Sequence, residues 1–125
     1  GRFEAAEENF KDYLTLPEPS WGGYNALSWV YFKEGKYSDA AEIARTGLES
    51  YPENPWLHNS VGIALLNQKK FSEAKEYLEI AHLGFESMSV EEWRKAYPGN
   101  DPALYKTGLM EALQSVHENL KLTDI

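Results

Sequence analysis

Apolar positions along this chain recur at helical spacing and are cut at regular intervals by residues that break helices. Tyr24, Leu27, Ser28 and Tyr31 stand at i, i+3, i+4 and i+7, the pattern of one helix face. Ser20 is placed to cap that helix, which is predicted to run to about Glu34. Gly35, free to adopt a positive φ, ends it. A second helix is expected from about Tyr37 to Ser50, with Ala40, Ala41, Ala44 and Leu48 on one face. Pro52 breaks it, and Asn54-Pro55 opens the next. The pattern then repeats. Trp56, Val61, Gly62 and Leu65 lie on a first helix, Lys69-Lys70 stands at the turn, and Phe71, Ala74, Leu78 and Ala81 lie on a second.

The repetition is metrical. Ala6, Ala40 and Ala74 are equally spaced, and each stands third after an aromatic (Phe3, Tyr37, Phe71). A constant period of about 34 residues marks stacked helical hairpins. A bulky side chain where two helices cross would push the axes apart, so Ala40 and Ala74 read as contact points within each hairpin. Residues 1–15 match a lone second helix, carrying Phe3, Ala6, Phe10 and Tyr13.

Tyr24, Leu27, Ser28, Tyr31, Gly35, Tyr37, Ala40, Gly47 and Pro52 together resemble the tetratricopeptide repeat, and a second copy runs through Gly62, Phe71, Ala74 and Ala81. His58 and Lys69 depart from that pattern, and Glu86 stands where the closing proline belongs. The resemblance covers about residues 1–86. It implies an all-α, right-handed α-solenoid of antiparallel hairpins, about seven helices in this chain. Ala6, Ala40, Ala74, Gly35, Tyr37, Phe71, Gly62 and Pro52 would then be repeat-packing positions.

Beyond Glu86 the tail departs from this pattern. Ser89-Val90-Glu91-Glu92 is a capping box for a short helix with Val90, Trp93 and Tyr97, ended by Pro98-Gly99. Asp101-Pro102 would start a last helix striped by Tyr105, Leu109, Ala112, Leu113, Val116 and Leu120. The expected division is a lone helix (1–15), repeats at 20–52 and 54–86, a connection (87–100) and a capping helix (101–122). The alternative is a worn third repeat with its first helix at 102–115 and Gly108 in the family glycine's place.

In the resembling family the first helices line a concave wall that takes peptides or proteins. Carried onto this chain, that wall would present Gly22, Asn25, Trp29, Phe32 and Lys33, then Trp56, Asn59, Ile63, Leu66 and Asn67. Asn25 and Asn59 would bind the backbone of an extended peptide; Trp29, Phe32, Ile63 and Leu66 would form the floor and Lys33 the only cation. The alternative is that the chain's own carboxy-terminal segment covers these apolar residues, since bare they would form an unusual patch. One cation is too few for a clamp on acidic peptide tails. Gly22-Gly23 would cost roughly 1 kcal/mol each in a helix interior, so a delayed helix start, or else a close backbone approach to a neighbour, is expected there.

Composition narrows the function further. A formal net charge of −8 disfavours nucleic acid as a partner. The chain has no cysteine, hence no thiolate chemistry. No apolar run is long enough to predict membrane insertion, and no leader pattern appears, so cytoplasm and periplasm fit equally. His58, His82 and His117 lack ligand-spaced partners, and no nucleophile motif or phosphate loop occurs. The expectation is a non-catalytic protein-interaction module without cofactor or metal. Because the chain opens mid-pattern at Gly1-Arg2-Phe3, it reads as a piece of something longer. The rival expectation is therefore an accessory or oligomerisation domain of a larger enzyme or receptor, self-associating through Phe3, Phe10 and Tyr13.

Overall fold

Two turns of the same design build the hairpins. The computed structural model describes residues 2–14, 20–96 and 105–124, and seven helices follow one another within them. They are α1 (Arg2–Leu14), α2 (Trp21–Lys33), α3 (Tyr37–Ser50), α4 (Pro55–Asn67), α5 (Phe71–Glu86), α6 (Val90–Ala96) and α7 (Tyr105–Leu122). Between α2 and α3, Gly35 takes φ +79°. Its N–H donates to Phe32 O at 3.0 Å, and the Lys36 N–H to Tyr31 O at 2.8 Å. Lys69 does the same work between α4 and α5 at φ +61°. Its N–H donates to Leu66 O at 3.1 Å, and the Lys70 N–H to Leu65 O at 3.0 Å. Each pair of bonds satisfies the last carbonyls of a helix and reverses the chain.

The connection from α3 to α4 uses other chemistry. Asn54 Oδ1 accepts from the Leu57 N–H at 3.0 Å, and Pro55 sits in the first turn where no N–H is missed. The His58 ring pairs with Pro52 O at 2.8 Å, tying α4 back to the bend before it. At the start of α2 the expectation needs correction. Ser20 takes the N-cap place with an extended backbone, but its hydroxyl makes no capping bond. Nor is the helix delayed: it begins at Trp21, so Gly22 and Gly23 lie in its first turn, with Gly23 buried.

Packing follows the period. α2 lies against α1 and α3, α4 against α3 and α5, and α2 also touches α4. Ala40 and Ala74 are fully buried, while Ala6 is half-buried. Within the first hairpin the buried Ser28 hydroxyl donates to Ala40 O at 2.9 Å. In the second, Gly62 replaces that serine, and a Cβ there would stand 2.6 Å from Leu78 Cδ2. Glycine lets α4 and α5 close to that distance. Val61, Leu65, Ala74, Leu78, Ala81 and Phe85 form the centre of the core. Val116 of α7 joins them from the tail.

Beyond α6 the tail returns to the stack: α7 packs on α5 and α4, the relation that α4 bears to α3 and α2. The capping box of α6 forms: Glu92 N–H donates to Ser89 Oγ at 3.1 Å and Ser89 N–H to Glu92 Oε1 at 3.3 Å. Pro98-Gly99 and Asp101-Pro102 lie outside the described residues. The result is an all-α solenoid.

Candidate functional site

The first helices supply the surface of interest because their composition differs from the second helices. α2 carries one ionised side chain, Lys33, and α4 carries neither acid, lysine nor arginine. The acidic surplus sits on the second helices, with Asp39, Glu42 and Glu49 on α3 and Glu73, Glu76, Glu79 and Glu86 on α5. The face built by α2 and α4 is therefore apolar and weakly cationic on an acidic protein.

Four of the expected groove residues come together there. Trp29, Phe32 and Lys33 of α2 and Ile63 of α4 line a cleft of about 140 Å³ floored by Ser28 and Ser60. Trp29 is 56% exposed. The Lys33 ammonium lies 5.0 Å from the centre of its ring, which keeps one cation over the cleft.

The two asparagines diverge. Asn25 ties α2 to α4, its Oδ1 accepting from the Ser60 hydroxyl. Asn59 is half-buried, and its Oδ1 has no hydrogen-bond partner among the described residues. Leu66 does not line the cleft. It packs against the core cluster that includes Val116 of α7, as Leu113 and Leu120 also do. Asn67 turns its amide back to Ile63 O at 2.9 Å. Trp56 joins an aromatic column, stacked on Trp21 at 4.9 Å and edge-on to Phe85 at 5.2 Å, with Trp93 of α6 at 6.1 Å. The tail thus reaches Trp56 and the cluster under Leu66 but leaves Trp29 in the open.

A larger cleft, about 860 Å³, lies between α1 and α2. Phe3, Ala6, Phe10, Trp21, Asn25 and Trp29 are among its walls, and Lys95 of α6 reaches its edge. Phe3 is 37% exposed and Phe10 half-buried; the Tyr13 side chain lies outside the described residues. The sequence pattern marks Phe3 and Phe10 as a bare face but does not mark Trp21, Ser60 or Lys95 as site residues. The recurrence of tryptophan at Trp21 and Trp56, both in the first turn of a first helix, is the available signal for one of them.

An ion cluster ties α1 to the α2–α3 turn. Glu7 meets Lys11 at 2.8 Å and Lys36 at 3.5 Å, and Lys36 meets Glu34 at 3.1 Å. The hydrogen bond from Lys11 holds the Glu7 carboxyl below its ordinary range, and Glu34 raises the Lys36 ammonium above its own. Among the described residues no group of His, Asp or Glu is arranged to hold a metal ion. No helix there is long and apolar enough to cross a membrane.

A sequence model of the Tetratricopeptide repeat matches residues 1–55 and again residues 25–83. The chain belongs to the tetratricopeptide repeat family. Comparison with curated proteins and with solved structures returned no significant match. Family membership accounts for the two and a half repeats over residues 1–83 and for the scaffold character of the fold. Tetratricopeptide repeats generally mediate protein–protein interaction, binding proteins or peptides. In this chain the family's glycine at the hairpin turn is kept as Gly35 and replaced by Lys69, which nonetheless adopts the glycine's backbone conformation.

Proposed function

We propose that this tetratricopeptide array is a non-catalytic scaffold that receives a protein segment against Trp29, Phe32, Lys33 and Ile63. The observation carrying this reading is Trp29. A tryptophan more than half exposed, on a helix face almost devoid of charge, leaves apolar surface in water that a bound partner would remove. Aromatic anchors of this kind dominate binding energy where they are buried by a partner. Lys33 adds a cation for a carboxylate or a carbonyl at the same wall. The chemistry is recognition; nothing in the arrangement positions a nucleophile beside a base.

The test is selection of binders from a random peptide display, followed by polarisation titration of the best clone against the intact chain. Trp29→Ala should weaken binding about tenfold or more, in line with the ~2 kcal/mol of an aromatic hot spot. Its circular dichroism and thermal midpoint should be unchanged, because Trp29 is not a core residue. Clones that bind the variant as tightly as the parent, or a display that yields no binder, would refute the assignment.

A further inference from the structure

The outer face of α5 departs from the repeat in its chemistry. Ile80 is 48% exposed and Leu83 65% exposed. One repeat period earlier their places on α3 are held by Thr46 and Glu49, both polar and both exposed. α3 lies between α2 and α4, and α5 follows, yet Thr46 and Glu49 stay in water. Stacking of neighbouring repeats therefore does not cover these places. The apolar pair is also set among carboxylates. Glu76 stands four residues before Ile80 and Glu79 four before Leu83, so each has a glutamate beside it on the helix surface. Neither glutamate pairs with a cation among the described residues, whereas Glu73 lies 3.7 Å from Arg45 and Glu86 2.8 Å from His82. Lys75, the one lysine of α5, lies 3.7 Å from Asp124.

From this we infer that the outer face of α5 docks a basic amphipathic helix of a partner protein. Its apolar side chains cover Ile80 and Leu83, and its lysines or arginines meet Glu76 and Glu79. Charge complementarity chooses the occupant. A second copy of this chain would bring its own Glu76 and Glu79 against these, and an anionic surface would meet the same repulsion. A basic helix brings the cations that the two free carboxylates lack. The helical conformation follows from pitch. Ile80 and Leu83 stand about one turn apart, the spacing at which a second helix laid alongside presents its own side chains. The Trp29 cleft lies on α2 and α4, so this surface is separate from it and the inference does not depend on how that cleft is used.

The probe is a fluorescein-labelled peptide of leucine and lysine, with leucine confined to one helix face, titrated with the full chain by polarisation. It should bind saturably, and more weakly as salt rises. Ile80→Thr with Leu83→Glu copies the residues of the preceding repeat and should weaken binding about tenfold or more, as loss of buried anchors does. That variant adds a negative charge, so attraction to net charge alone would strengthen binding instead. Glu76→Gln with Glu79→Gln should weaken binding several-fold. Glu42→Gln with Glu49→Gln, the same charge change on α3, should leave it unaltered, and so should Trp29→Ala. The inference is overturned if the titration does not saturate, or if the Ile80→Thr, Leu83→Glu variant binds as tightly as the parent or tighter. It also falls if the glutamines on α3 cost as much as those on α5, or if Trp29→Ala does, which would put the peptide in the other cleft. Self-association on sedimentation that Ile80→Thr with Leu83→Glu abolishes would overturn it too, by making a second copy the occupant.

Discussion

Exchanging the residues at the two hairpin turns should move stability in opposite directions by similar amounts. Gly35 and Lys69 occupy the same place in successive repeats, with φ +79° and +61°. A residue bearing a Cβ loses about 1–2 kcal/mol in that left-handed region, which glycine enters freely. Glycine's greater freedom in the unfolded chain returns roughly 0.5–1 kcal/mol. Lys69→Gly should therefore stabilise the fold by about 0.5–1 kcal/mol, and Gly35→Lys should destabilise it by about the same amount. Packing does not confuse the comparison: a Cβ at Gly35 would meet nothing within 4 Å, and Lys69 is exposed. Urea unfolding followed by circular dichroism reads the difference as a midpoint shift at constant slope. In thermal melts Lys69→Gly should raise the midpoint by a few degrees, on the order of 2–5 °C. The double exchange should return close to the parent, since the two turns belong to different hairpins. The reasoning fails if Lys69→Gly lowers stability, or if both single variants shift the same way.

Gly62→Val should destabilise by about 1–3 kcal/mol through overpacking, because its Cβ would stand 2.6 Å from Leu78 Cδ2 inside a closed core. Combined with Leu78→Ala it should cost less than the sum of the two single losses, which a urea double-mutant cycle measures. The ion cluster of α1 predicts a pH dependence. Glu7 has a folded-state pKa below the unfolded 4.5, so its contribution is present above 4.5 and is lost as pH falls through the lowered value. Lys36 is raised from 10.5, so its contribution is intact below 10.5 and is lost only as pH rises through the raised value. Glu7→Gln should reduce the loss of stability on the acid side and leave the alkaline side dominated by the Lys36–Glu34 pair, as urea midpoints taken across both windows will show.

The hairpins were legible because their signals are local. Gly35 and Pro52 bracket α3, and the helix runs from Tyr37 to Ser50 as those breakers dictate. Ala40 and Ala74 are buried for the reason their spacing implies. The groove was less legible because it depends on how one repeat is turned against the next. Periodicity places Asn25 and Leu66 on a face but says nothing about what arrives there. Ser60 arrives at Asn25, and the core cluster that α7 joins through Val116 takes Leu66. Trp56 likewise stands on the expected face, yet Trp21, Phe85 and Trp93 enclose it from three other helices. Ser20 shows the limit of residue type: it takes the cap position without making the cap bond.

Seen as a lattice, the solenoid extends by contact and not by count. α7 lies against α5 and α4, as α4 lies against α3 and α2, although the short α6 comes between α5 and α7 along the chain. The place of a first helix is thus taken by the segment whose apolar stripe can be buried on the preceding second helix, and Val116 of α7 is buried there.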